Sequence, residues 1–241
     1  MLVKRTFMQK AIHAPSKREL LFGIFCWFMF DFGFAIILEL FFDDKSANGV
    51  YWMQVCAMLG SFLLVVVVFW RFLYGARLYA DGMDLLKTVV FGFIAYWILA
   101  FIVEWIIMDV ILIRWYIFED RFFFANPNQQ AIDTLVHYNP TVMNLCVILL
   151  APVTEECLVR GMIFAPVCRK KPWLAYMVTT VLFAGLHVLP YIGEIDIVNV
   201  LLLMLAYSPA GVVLGWAYQN TRCIYGPIAL HCAINLYATV V

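Results

Sequence analysis

The feature that most constrains this chain is a repeated apolar run of membrane-spanning length. A helix that crosses the hydrocarbon core of a bilayer needs about 20 mostly apolar residues. Seven stretches approach or exceed that scale: about 20–42, 50–72, 86–108, 141–166, 173–190, 197–218 and 223–241. Of the 241 residues, 65% are hydrophobic and only 13% are charged. An average soluble domain is about 45–50% apolar and about 25% charged. Soluble globular, disordered, collagenous and disulfide-scaffold classes are therefore excluded. The expected fold is all-α, a polytopic transmembrane helical bundle of seven spans, with an eighth if residues 109–140 supply one. Asp109–Phe118 is apolar but short, and Asn126-Pro127-Asn128 is a turn signal. This region reads as an extension of span three, an interfacial helix or part of an extra span.

Charge narrows the class of partner. Sixteen Lys and Arg balance sixteen Asp and Glu, and no basic stripe invites nucleic acid. Lys and Arg in alternate connections give orientation by the positive-inside rule. One side collects Lys4, Arg5, Lys10, Lys17 and Arg18, then Arg71, Arg77 and Lys87, then Arg169, Lys170 and Lys171, then Arg222. The other side has Lys45, Arg114 and Arg121. The N-terminus is expected in the cytoplasm. The apolar run after the first basic cluster is too long for a signal-peptide core, so no cleavage is expected. Seven cysteines lie singly, without a C-x-x-C, and read as small packing residues.

Two regions are expected: 1–140, a membrane region of three spans with the ambiguous segment, and 141–241, a core of four spans. The chain ends six residues after Asn235, so no further C-terminal span is expected to complete that core. Gly211 and Gly215 form a G-x-x-x-G that lets a neighbouring helix approach closely.

Ionisable residues inside spans cost about 2.5–3.5 kcal/mol each on insertion scales and so need a reason. Asp31, Glu39 and Glu104 read as contacts between helices or at span boundaries. The denser group is Glu155, Glu156, Arg160, His187, His231 and Asn235. Glu156 and Arg160 are four apart, on one helix face, and can neutralise each other. Glu155 is turned about 100° away and has no partner in its own helix. It faces something else. Pro152 should kink the span or leave a carbonyl free. At 1.5 Å per residue, Glu155 lies roughly 21 Å from Arg169 and His187 roughly 24 Å from Lys171; His231 and Asn235 lie roughly 13 and 19 Å from Arg222. One shared polar site is the expectation. A carboxylate and an imidazole can hold and deprotonate water, and a second imidazole with a carboxamide can stabilise an oxyanion. That chemistry suits amide hydrolysis. Cys157 lies on another face and is not read as a nucleophile.

The pattern E-E-x-x-x-R at Glu155–Arg160, F-x-x-x-H at Phe183–His187 and H-x-x-x-N at His231–Asn235 resembles the CPBP (Abi) family of intramembrane proteases. That family includes CAAX prenyl endopeptidases and bacteriocin-processing or immunity proteins. The stretch Thr221–His231 looks like the family's approach to its last motif. The resemblance covers about residues 141–241. It implies an intramembrane endopeptidase with Glu155 as the water-activating base, His187 beside it, and His231 with Asn235 stabilising the oxyanion. Glu156 and Arg160 would be supporting, and Phe183 would pack near the site. The family is often labelled metalloprotease, but the resemblance implies a glutamate-dependent mechanism without a cofactor. The alternative is Zn2+ on Glu155, His187 and His231, since two His and one Glu is a zinc set. Expected partners are the lipid bilayer and a peptide or prenylated protein substrate. The expected location is a bacterial plasma membrane. The rival functions are a non-catalytic immunity or scaffold protein and a proton-coupled transporter. The transporter lacks repeat symmetry between halves.

Overall fold

The computed structural model describes residues 12–41, 46–118 and 124–240. Lys4, Arg5, Lys10, Lys45 and Arg121, used above for orientation, lie outside the described residues. The chain is all-helical. Among the described residues the one strand-type pairing is a single bridge between Ile192 and Ile195. Six helices among the described residues are long and apolar enough to cross a membrane: α1 (Lys17–Phe41), α2 (Ala47–Val68), α4 (Gly82–Phe118, spanning as Gly82–Arg114), α6 (Pro140–Cys168), α7 (Pro172–Val188, apolar to Tyr191) and α8 (Ile197–Thr221). The protein is a multi-pass integral membrane protein.

The expected seventh span is α9, Tyr225–Val240. Its 16 residues fall short of the length that marks the other six. The reason is its start. Arg222 takes a left-handed backbone conformation (φ 58°) that ends α8, and α9 begins only at Tyr225. The ambiguous segment divides in two. Residues 109–118 continue span three, giving one helix of 37 residues, roughly 55 Å long. Residues 127–138 form a separate short helix, α5 (Pro127–Tyr138), capped by the Asn126 side chain.

The break between α2 and the short α3 (Trp70–Ala76) exposes backbone N–H groups that need acceptors. The buried Glu19 of α1 takes one of them, with Phe72 N–H donating to Oε1 at 2.8 Å. Its other oxygen closes a capping box with Ser16. Two buried clusters tie the bundle together. One joins α1, α2, α3, α6, α7 and α8 through Phe69, Phe72, Leu158, Phe164 and Tyr218. The other joins α6 to α9 through Val159, Phe183, Leu214 and Leu230. Helix α4 packs against α8 and α9, and α2 packs against α6.

The glycine pair is used for close approach. A Cβ on Gly211 would lie 2.9 Å from the Thr180 Cα of α7, and one on Gly215 would lie 3.0 Å from Phe164 and Tyr176 side chains.

Candidate active site

Helix α6 is not a uniform α-helix. It has a π-helical turn at Cys146–Leu150, α-helix over Ala151–Glu156 and a longer π stretch over Cys157–Phe164. Such π segments often mark functional sites. Here their effect is specific. Ala151 N–H is drawn to Cys146 O, five residues back. Pro152 has no N–H to give. Val147 O is thus left without its usual helical donors, and the side-chain amide of Asn235 donates to it at 2.9 Å. A carbonyl is freed, as Pro152 led one to expect, and α9 is fastened to α6 through it.

Glu156 and Arg160 form the expected pair, Arg160 Nη1 to Glu156 Oε1 at 3.0 Å, both fully buried. Arg160 Nη2 also donates to Gly211 O at 3.2 Å, and its guanidinium lies 4.5 Å above the Phe183 ring. The same Glu156 Oε1 meets His231 Nδ1 at 2.9 Å. Glu156 is thus more than a brace for Arg160: it orients an imidazole, a contact the spacing of its own helix cannot reveal.

The other ring nitrogen, His231 Nε2, lies 3.9 Å from Glu155 Oε2. That distance is too long for a hydrogen bond. Glu155 Oε2 is buried with no hydrogen-bond partner. A carboxylate at Glu156 only accepts, so Nδ1 carries a hydrogen, and Nε2 is an acceptor when the ring is neutral.

His187 is held differently. Its Nδ1 lies 2.8 Å from Phe183 O. A carbonyl only accepts, so Nδ1 carries a hydrogen, and in the neutral ring Nε2 is the acceptor. The Phe183 ring touches both imidazoles, with centroids 4.7 Å from His187 and 5.6 Å from His231.

Glu155, His187, His231 and Asn235 line one cavity of about 360 Å³. That volume is in the range of small ligand sites. Among the polar lining residues that sequence reasoning did not place in the site, two stand nearest its chemistry. Asp31 sits in a π-helical turn of α1, Met29–Gly33, on the cavity wall. Tyr207 of α8 stacks on His187, centroids 4.4 Å apart. A lone Tyr in an apolar helix reads as packing, so the sequence carried no signal for it. For Asp31 the signal was its charge inside a span. Glu39 and Glu104 lie on exposed helix faces away from this lining. Cys157 is fully buried and outside the lining.

The zinc alternative meets the geometry poorly. Among the described residues no three His, Cys, Asp or Glu side chains are grouped so as to hold a metal ion. Glu155, His187 and His231 share the cavity without forming such a set.

The fold and site define a class: a multi-pass helical membrane protein with a glutamate and two histidines on the wall of a cavity between its helices, and a second, buried glutamate behind one of the histidines. Residues 137–237 match the family described as type II CAAX prenyl endopeptidase Rce1-like, which bears out the resemblance to the CPBP proteases over that part of the chain. Comparisons with curated proteins and with solved structures give no match.

Proposed function

We propose that this protein is an intramembrane endopeptidase that hydrolyses a peptide bond of a membrane-associated peptide or protein with water held by Glu155 and His231. The observation that carries this reading is the 3.9 Å gap between Glu155 Oε2 and His231 Nε2. Two hydrogen bonds of about 2.8 Å from one water span such a gap. The water then donates one hydrogen to each and points a lone pair at a substrate carbonyl. Glu155 takes a proton as the water oxygen adds to the carbonyl carbon. The proton passes to the leaving nitrogen as the C–N bond breaks, giving a carboxylic acid and an amine. Glu156 fixes the His231 tautomer, as a carboxylate orients the histidine of a triad. Asn235 spends one amide hydrogen on Val147 O and keeps the other for the oxyanion. The resemblance implies that His231 shares this role, but a His231 Nε2 that accepts from the water leaves it to Asn235. His187, with Nε2 unprotonated, is the second proton acceptor on the cavity wall. Residues 141–241 carry the chemistry, and residues 1–140 supply further wall.

The family match supports a CAAX-type substrate, a prenylated protein or a peptide precursor delivered through the bilayer. A cytoplasmic N-terminus fits the alternation of basic connections, and a bacterial plasma membrane fits the family resemblance. The test is cleavage of quenched fluorescent peptides, prenylated and plain, by purified protein in liposomes. Wild-type cleavage that persists with a chelator and is lost in Glu155→Gln, at an unchanged unfolding midpoint, is the expected result. Glu155→Gln that still cleaves removes the proposed base.

A further inference from the structure

The polar network around Tyr207 extends beyond the glutamate–histidine cluster. The Tyr207 ring lies against His187 at 4.4 Å with planes 27° apart, so the imidazole is held between Tyr207 and Phe183. The Tyr207 hydroxyl reaches the other way. It donates to Asn126 Oδ1 at 3.2 Å and accepts from Asn128 Nδ2 at 3.0 Å. Asn126 is the N-cap of α5, accepting also from Gln129 N–H at 3.1 Å, and Asn128 is in the first turn. One face of α5, carrying Asn128, Ile132 and Leu135 with Gln129 beside it, lines the same cavity as Glu155 and His187. Helix α5 has 12 residues, and none of its side chains is fully buried. Its far part packs through Ile132, Leu135 and Val136 onto Tyr51 and Met143, and its Tyr138 hydroxyl donates to Asn48 Oδ1; its start is held by the two hydrogen bonds of the Tyr207 hydroxyl.

We propose that Tyr207 is a positioning residue for His187, and that its hydroxyl ties the placement of that imidazole to α5, the helix that closes one side of the cavity. The ring and the hydroxyl have separable jobs. The ring limits rotation of His187 about the side chain that its Nδ1 bond to Phe183 O only partly fixes. The hydroxyl holds the start of α5 down. Displacing α5 to admit a substrate breaks both hydroxyl bonds and loosens the ring that backs His187. Closing α5 restores them. The inference rests on the hydrolytic reading only for its kinetic consequence.

The test compares wild type, Tyr207→Phe and Tyr207→Leu in the same liposomes with two readouts that need no substrate. These are amide hydrogen exchange over residues 127–138 and the rate of diethyl pyrocarbonate modification at His187, mapped by peptide mass. Tyr207→Phe keeps the stack and loses the tether. It should raise exchange in α5 at least about fivefold, the change in local opening expected from losing even one of the two ordinary hydrogen bonds, and leave modification of His187 within twofold. Tyr207→Leu should raise both, modification by fivefold or more. Cleavage adds a third arm. Tyr207→Leu should lower kcat at least tenfold with KM within threefold, whereas Tyr207→Phe should keep kcat within threefold and shift KM. Unchanged exchange in α5 for Tyr207→Phe overturns the tether, and that variant alone decides it if Tyr207→Leu fails to fold. Unchanged modification in a folded Tyr207→Leu overturns the positioning role. Absence of cleavage by the wild type would remove the hydrolytic reading while the first two readouts still decide this one.

Discussion

At the scale of single residues, Glu156 is where structure and chemistry are most tightly joined. One of its oxygens receives both Arg160 Nη1 and His231 Nδ1. Removing Arg160 therefore strands a buried carboxylate. Breaking one partner of a buried pair usually costs about 3–5 kcal/mol. Arg160→Met should lower the urea unfolding free energy by that order, and adding Glu156→Gln should recover part of the loss. A fully stable Arg160→Met would show that the pair contributes nothing to folding. Glu156→Gln alone tests the orienting role. A carboxamide can turn its N–H toward Nδ1 and select the wrong tautomer of His231. Such a change lowered turnover by about 10⁴ in the serine-protease triad, so a loss of 10² or more in kcat is expected here. A kcat within threefold of wild type would show that Glu156 does not set the tautomer. The glutamates, histidines and Asn235 were legible because a polar side chain in an apolar span stands out. Their division of labour was not. The i, i+4 rule sees partners within one helix, and His231 comes from another.

At the scale of elements, the spans were legible because hydropathy alone separates them, and residues 109–118 were ambiguous only because so short a stretch, apolar but for Asp109 and Arg114, fits several fates. The π-helical turns of α1 and α6 were not legible, since a shift in hydrogen-bond register leaves no mark in composition. Pro152 announced a free carbonyl without saying which one or who would take it. Two glycines on adjoining helices give a matched test of packing. A methyl group at Gly211 would press on Thr180 Cα at 2.9 Å, and backbone cannot swing aside as a side chain can. Gly211→Ala should force α7 from α8 and destabilise the protein by about 1–3 kcal/mol. A Cβ at Gly185 meets nothing within 4 Å. Gly185→Ala should leave stability unchanged or raise it by up to about 1 kcal/mol through helix propensity. Thermal unfolding in detergent reads both, and equal effects at the two sites would contradict this account of the α7–α8 interface.

At the scale of the molecule, segments distant in sequence meet at the end of the bundle that carries Arg169 and Arg222. His13 N–H donates to Arg222 O at 2.8 Å, Tyr218 hydroxyl donates to His13 O at 2.7 Å, and Arg169 Nε donates to Ile12 O at 3.1 Å. His13 lies outside every span, where a lone polar residue is ordinarily at the surface. It is instead half-buried between the rings of Phe72 and Tyr79, at 4.9 and 4.7 Å. No hydropathy pattern reveals a lone polar residue folding back onto the bundle. Burial foremost, and the Arg169 guanidinium second, lower its pKa to about 4, against an opposing pull from Glu19. Between about 4 and the usual value of 6.5 the unfolded chain binds the proton and the folded chain does not. Stability therefore rises with pH across that window. The contribution is complete above 6.5 and is lost as the pH falls toward 4. Allowing for screening at a half-buried site, about 1 kcal/mol should be lost by pH 5. His13→Phe keeps a ring between Phe72 and Tyr79 and removes Nδ1, which is buried without a hydrogen-bond partner. The variant should match or exceed wild type at pH 7 and lose less on acidification. Unfolding midpoints at pH 7, 6 and 5 for the two proteins check this. Parallel curves would place the acid sensitivity in some other group and leave His13 a neutral wedge.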